Sequence, residues 1–115
     1  MMYKPGDLVG IPFPYSDMTT TKRRPVLVVT APDRHGDFMG LAVTSVVTKE
    51  SAMAIDSGDM AVGTLPQKSW IRYDKLFTLH SDIIAKTYGS LRPESLHSII
   101  KCLCDYIGCN RPRRF

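Results

Sequence analysis

The chain has 115 residues, 43% of them hydrophobic and 9% aromatic, which suits one domain over 1–115 and argues against a disordered polypeptide. It contains no run of about 18 apolar residues, so neither a membrane span nor a membrane partner is expected. A total of 15 Lys and Arg against 11 Asp and Glu gives a net charge of +4, densest at KRR (22–24) and RPRR (111–114). Such clusters attract polyanions, although a solvated face or frayed basic tail is the better explanation of 111–114.

The opening MMYKPGDLVG lacks a basic region followed by a long apolar stretch, so no secretory leader and a cytoplasmic location are expected. Within it and just beyond, Val9, Ile11 and Phe13 alternate, which predicts a strand over 8–13. Pro12 and Pro14 cannot donate to a ladder and put that strand at a sheet edge, or end it there. SDMTTTKRR (16–24) reads as a polar loop, VLVVT (26–30) as a central strand and APDRHGD (31–37) as a turn. FMGLAVTSVV (38–47) is a further strand that loses its apolar character at Thr44 and Ser45 and then resumes. AMAI (52–55) is a short strand and DSGDMAVG (56–63) a loop. SWIRYD (69–74) alternates, with Ile71 and Tyr73 on one face and Trp70, Arg72 and Asp74 on the other. TLH (78–80) is too short to assign, and DIIAKTYGSL (82–91) reads as a strand with a bent start.

A helix closes the series. Leu96, Ile99, Ile100, Leu103, Cys104 and Ile107 recur at helical spacing, Pro93 and Glu94 suit the first turn, and Gly108 is a natural stop. Five to seven short strands followed by one helix predict a mainly β fold, an SH3-like small barrel with the helix over one opening. The three cysteines, Cys102, Cys104 and Cys109, are odd in number and closely clustered. They match neither a disulfide framework nor zinc spacing, and Cys104 is expected to face the core. No metal site and no cofactor motif is visible, so no cofactor is expected.

Four features carry possible chemistry, and each also has a structural explanation. Arg24 precedes Pro25, whose fixed φ holds the arginine at a defined place; its donor fork suits a phosphate, or a carboxylate partner. Thr44 and Ser45 interrupt an apolar strand; one hydroxyl could meet a phosphate, or both could bond backbone. Arg72 and Asp74 share a strand face and could act across a phosphodiester, or form a surface ion pair. Of His35, His80 and His97, only His80 follows closely on that pair.

The order PGDLVGIPFPYSD, KRRPVLVVT, AVTS, IRYDKLFTL and an amphipathic terminal helix resembles the PemK/MazF family of toxin endoribonucleases over nearly the whole chain. The resemblance implies an SH3-like barrel acting as a homodimer. It implies metal-independent, sequence-selective cleavage of single-stranded mRNA, opposed by a small antitoxin. It carries the catalytic positions onto Arg24, Thr44, Arg72 and Asp74. TTTK stands where some members have a histidine.

On this reading the 2′-hydroxyl of RNA is the nucleophile, and the products carry a 2′,3′-cyclic phosphate and a 5′-hydroxyl. Asp74 is the base, Arg24 clamps the phosphorane, Arg72 clamps it or donates a proton, and Thr44 positions the substrate. Lys22, Arg23 and Ser45 line the RNA groove, with Trp70 and Tyr15 as base-stacking candidates. Two alternatives stand beside it: a family member that binds RNA or antitoxin without cleaving, and a gyrase poison of the CcdB type, which shares the fold.

Overall fold

The computed structural model describes residues 2–14 and 21–109; Tyr15 and the 111–114 cluster lie outside them, as does the side chain of Lys22. Seven strands are present among these residues: β1 (Asp7–Pro14), β2 (Thr21–Val28), β3 (Asp37–Thr44), β4 (Ala52–Ile55), β5 (Met60–Gly63), β6 (Ser69–His80) and β7 (Lys86–Leu91). Helix α1 (Pro93–Ile107) follows them. The strands form one antiparallel sheet in the order β4-β6-β3-β2-β1-β7-β5.

That order forces curvature. The two outermost strands, β4 and β5, are consecutive in sequence and joined only through residues 56–59. Five extended steps reach about 17 Å, whereas seven flat strands would span about 29 Å. The sheet therefore curls until its outer strands approach each other, as a small barrel requires. The joining segment is a single 3₁₀ turn, Ser57–Asp59, held by a reciprocal cap in which the Asp56 carboxylate accepts from Gly58 N–H and the Asp59 carboxylate from Asp56 N–H. Asp59 also ties the turn to α1, accepting from the Ser95 hydroxyl at 2.7 Å and, through its carbonyl, from Arg92 N–H at 2.8 Å.

The apolar residues divide between two faces. Leu8, Leu27, Leu41, Val43, Ile55 and Ile71 pack inside the curl together with Ile99 and Leu103 of α1. Val9, Ile11, Val26, Val28 and Phe38 form a second cluster on the opposite face of β1, β2 and β3. This explains why VLVV shows no alternation: β2 is covered on both sides. The fold is thus mainly β with a C-terminal helix, as the element pattern implies.

Several boundaries differ from the sequence reading. Lys22, Arg23 and Arg24 are not in a loop; they belong to β2, which pairs with β1 from Leu8↔Leu27 to Pro14↔Thr21. β1 is an internal strand between β2 and β7, not an edge. The prolines are accommodated because β7 pairs only with Asp7–Gly10, leaving Pro12 and Pro14 unpaired on that side. Pro25 is tolerated likewise, since β3 pairs with β2 only from Val26 to Val28. β3 ends at Thr44 instead of resuming, and Val46 and Val47 are exposed beyond it. The 56–63 segment, read as loop, contains β5, and β6 runs on through 78–80. Short propensity windows missed both because each strand is held by its neighbour, β5 by β7 and the end of β6 by β3.

In α1, Ile99 and Leu103 are buried, and Cys102, not Cys104, packs against the inner cluster. At about 100° per residue, Cys104 lies about 140° from Ile99 around the helix and Cys102 only about 60°. Ile107 is also exposed. Among the described residues no helix is long and apolar enough to cross a membrane.

Candidate functional site

Four adjacent strands, β1, β2, β3 and β6, contribute to one open groove of about 410 Å³. β2 supplies Arg24, β3 supplies Thr44 at its end, and β6 supplies Arg72. The floor is apolar, with Ile11, Val26 and Phe77 among its residues. The groove therefore combines guanidinium groups at its margin with a low-dielectric base, where charge interactions are less screened than in bulk water.

Asp74 is not part of the groove wall but reaches it through Arg72. The guanidinium donates from Nε to Oδ1 at 3.2 Å and from Nη2 to Oδ2 at 2.9 Å, a two-point pair. The hydrogen bond from Arg72 holds the Asp74 carboxyl below the ordinary aspartate range, with partial burial opposing and the positive charges of Arg72 and Lys75 adding to the effect. The chain reaches this arrangement through a bulge. Ala42 faces Arg72 and Leu41 faces Leu76, so Tyr73, Asp74 and Lys75 are extra residues on β6. Ile71 and Tyr73 still turn toward the inner cluster, as their alternation predicts. The bulge also brings Lys75 into the groove, although the i, i+2 argument alone excludes it from the Arg72 face.

The Thr44 hydroxyl accepts a hydrogen bond from Val46 N–H at 3.1 Å, which fixes its position where β3 ends and leaves its proton available to donate into the groove. Behind Arg24 and Thr44 lies a second cavity of about 190 Å³, which those two residues also line. Arg23 and Ser45 belong to this second cavity, with Gln67 and Tyr88. Arg24, Pro25, Val43 and Thr44 line both spaces.

Of the residues singled out in the sequence, Arg24, Thr44 and Arg72 meet in the groove, Asp74 joins through its ion pair, and Arg23 and Ser45 adjoin it. Trp70 lines neither cavity; it is half-buried between Thr44 and Ala54 in the ladder, with Lys68 Nζ 5.9 Å from its ring centroid. Tyr15 and the side chain of Lys22 lie outside the described residues. His80 is eight residues along β6 from Arg72 and lines neither cavity. Both its ring nitrogens are engaged: Nδ1 accepts from Asp82 N–H at 3.1 Å, and Nε2 lies 2.8 Å from the His35 carbonyl. It caps a turn. Sequence reasoning missed Lys75, Gln67 and Tyr88. Lys75 was visible as a cation directly after the Arg-x-Asp pair, whereas nothing local marks Gln67 or Tyr88. No cluster of metal-ligating side chains occurs among the described residues.

Comparison with known proteins bears on the family and the fold. Residues 4–107 match the family model described as PemK-like, MazF-like toxin of type II toxin-antitoxin system. The fold is similar to that of a mycobacterial endoribonuclease solved in complex with its cognate antitoxin, with TM-score 0.72 and 20% identity over 96% of this chain and 99% of that one. It is similar also to the MazE–MazF structure from Deinococcus radiodurans, with TM-score 0.74 and 17% identity over 92% and 96% of the two chains. The Mycobacterium tuberculosis toxin MazF-mt6 follows, with TM-score 0.64 and 17% identity over 87% and 96%. Among curated proteins there is no match.

Proposed function

The chain belongs to the PemK-like, MazF-like family of type II toxin–antitoxin toxins, and from that premise we propose that it is an endoribonuclease that cleaves single-stranded mRNA without a metal ion. The observation that carries this reading is the meeting of Arg24, Thr44 and the Asp74-held Arg72 at one groove. Two guanidinium groups and a hydroxyl at the margin of an open groove suit the non-bridging oxygens of a phosphodiester.

RNA brings its own nucleophile. The 2′-oxygen attacks the adjacent phosphorus, the bond from phosphorus to the 5′-oxygen breaks, and the 5′-oxygen takes up a proton. The products are a 2′,3′-cyclic phosphate and a 5′-hydroxyl. Charge grows on the phosphorane oxygens, and fixed donors that meet it there lower the barrier. Arg24 and Arg72 supply that field, and the Thr44 hydroxyl orients the phosphate. Asp74 has a different task from the base that the sequence suggests. Both its oxygens are engaged by Arg72, and its pKa is lowered, which makes it a poorer base than an ordinary aspartate. We therefore assign it to holding the Arg72 fork, while the 2′-hydroxyl proton leaves to solvent.

The adjoining cavity, with Arg23, Ser45, Gln67 and Tyr88, is suited to nucleotides flanking the cut phosphate, Tyr88 offering a ring for stacking. The partners proposed are mRNA, a neutralising antitoxin and a second copy of the chain. The antitoxin rests on the family and on the antitoxin-bound relative; the exposed Val46 and Phe77, which line the groove, offer apolar surface for a protein partner. The test is Arg24→Ala. Purified variant should cleave a susceptible RNA at least about 100-fold more slowly than the parent, the scale of removing one oxyanion donor. Cleavage near the parent rate would overturn the assignment.

A further inference from the structure

The end of α1 brings two thiols together. Gly108 adopts φ 86°, and this left-handed residue turns the chain back on the helix. Cys109 N–H then donates to the Cys104 carbonyl at 2.8 Å and Gly108 N–H to the Asp105 carbonyl at 3.3 Å, the paired bonds of a Schellman closure. In this closure the side chains three residues before the cap and one after the glycine face each other. An apolar contact commonly fills that place; here both residues are cysteines. The neighbouring Cys109 thiol first, then partial burial and the nearby charges of Cys109 and Asp105, pushes the Cys104 thiol up from its ordinary value.

Access differs between the two. Cys109 is exposed and Cys104 half-buried. Cys102 is excluded from the pair, because it packs against the inner cluster and projects about 200° away from Cys104 around the helix.

We propose that Cys104 and Cys109 form an oxidative modification site, a dithiol that a peroxide converts to an intramolecular disulfide across the helix end. The exposed Cys109 sulfur attacks one peroxide oxygen, the O–O bond breaks, and Cys109 becomes a sulfenic acid with release of one water. The Cys104 sulfur then attacks the Cys109 sulfur, the S–O bond breaks, and a second water leaves with the Cys104 proton. Two thiols lose two electrons in total, and one hydrogen peroxide takes them up. A disulfide needs its two β-carbons about 4 Å apart, and the 2.8 Å bond from Cys109 N–H to the Cys104 carbonyl draws the two residues toward each other. Neither cysteine lines the groove or the adjoining cavity, and the proposal does not depend on nuclease activity.

The test uses the whole purified protein and hydrogen peroxide. After oxidation under native conditions, remaining thiols are alkylated in denaturant and the intact mass is measured. The parent should lose two hydrogens and accept one alkyl group, and Cys102→Ala should lose two hydrogens and accept none. Cys104→Ser and Cys109→Ser should form no intramolecular bond. Gly108→Ala, which keeps every thiol but penalises the left-handed turn, should form the bond roughly fivefold more slowly. Three alkyl groups on peroxide-treated parent, or a disulfide that survives Cys109→Ser, would overturn the proposal. So would an unchanged rate in Gly108→Ala.

Discussion

Replacing Asp74 by asparagine removes one charge from the groove's support without changing its shape. The pair it disrupts joins an Arg72 side chain that is 34% exposed to a carboxylate that is 19% exposed, at 2.9 Å. Solvent screens an ion pair of that exposure, so its contribution to stability is about 1 kcal/mol, the upper end for surface pairs. For a chain of this length, that is a fall in Tm of about 4 °C. The catalytic loss should be larger than the stability loss. An Arg72 fork free to rotate misplaces its donors by about 1 Å, which is on the order of a 100-fold loss in rate. The pH dependence separates holding from proton transfer. The folded pKa of Asp74 is depressed by Arg72, so its stabilising contribution is present above the unfolded value of about 3.9 and is lost as pH falls through the lower folded value. The Tm gap between parent and Asp74→Asn should therefore stay constant from pH 8 to 5 and close below about pH 4. Over that same neutral range, single-turnover RNA cleavage by the parent should show no inflection that the variant lacks. An inflection between pH 5 and 8 that disappears in Asp74→Asn would refute the reasoning, since it would mark Asp74 as a titrating base.

Other outcomes follow from the same geometry. Thr44→Val keeps the side-chain shape but removes the hydroxyl, and should slow cleavage about 10- to 100-fold while costing the Val46 N–H its acceptor; a single-turnover rate within twofold of the parent would exclude a positioning role. Arg23 is exposed beside the second cavity, so Arg23→Ala should weaken single-stranded RNA binding and reduce the slope of log K against log salt by about 0.7, measured by fluorescence anisotropy. Cleavage should be unchanged when EDTA replaces any added metal, because the charge in the proposed step is met by guanidinium groups. Ile99 is fully buried between α1 and the sheet, so Ile99→Ala should lower unfolding stability by about 2–5 kcal/mol in a denaturant titration.

Whatever depends on local pattern is legible in the chain before it folds. The stripe centred on Ile99 and Leu103 makes α1, Pro93 and Gly108 bound it, and the spacing of Arg72 and Asp74 puts them within reach of each other. Alternation along 69–74 correctly sends Ile71 and Tyr73 inward. Pairing between distant segments decided the rest. Lys22 to Arg24 carry no apolar signal, yet they are strand because Ile11, Pro12 and Phe13 of β1 pair with them. The Pro12 and Pro14 arguments misplaced β1 at an edge, since a proline constrains only the side of the strand where a neighbour would need its N–H. Lys75 enters the groove through a bulge that exists only in register with β3, and Gln67 and Tyr88 meet Arg24 only once the sheet has curled. A strand's side-chain period is a property of its own residues, but which strand lies beside it, and in what register, is set by hydrogen bonds to residues far away in the chain.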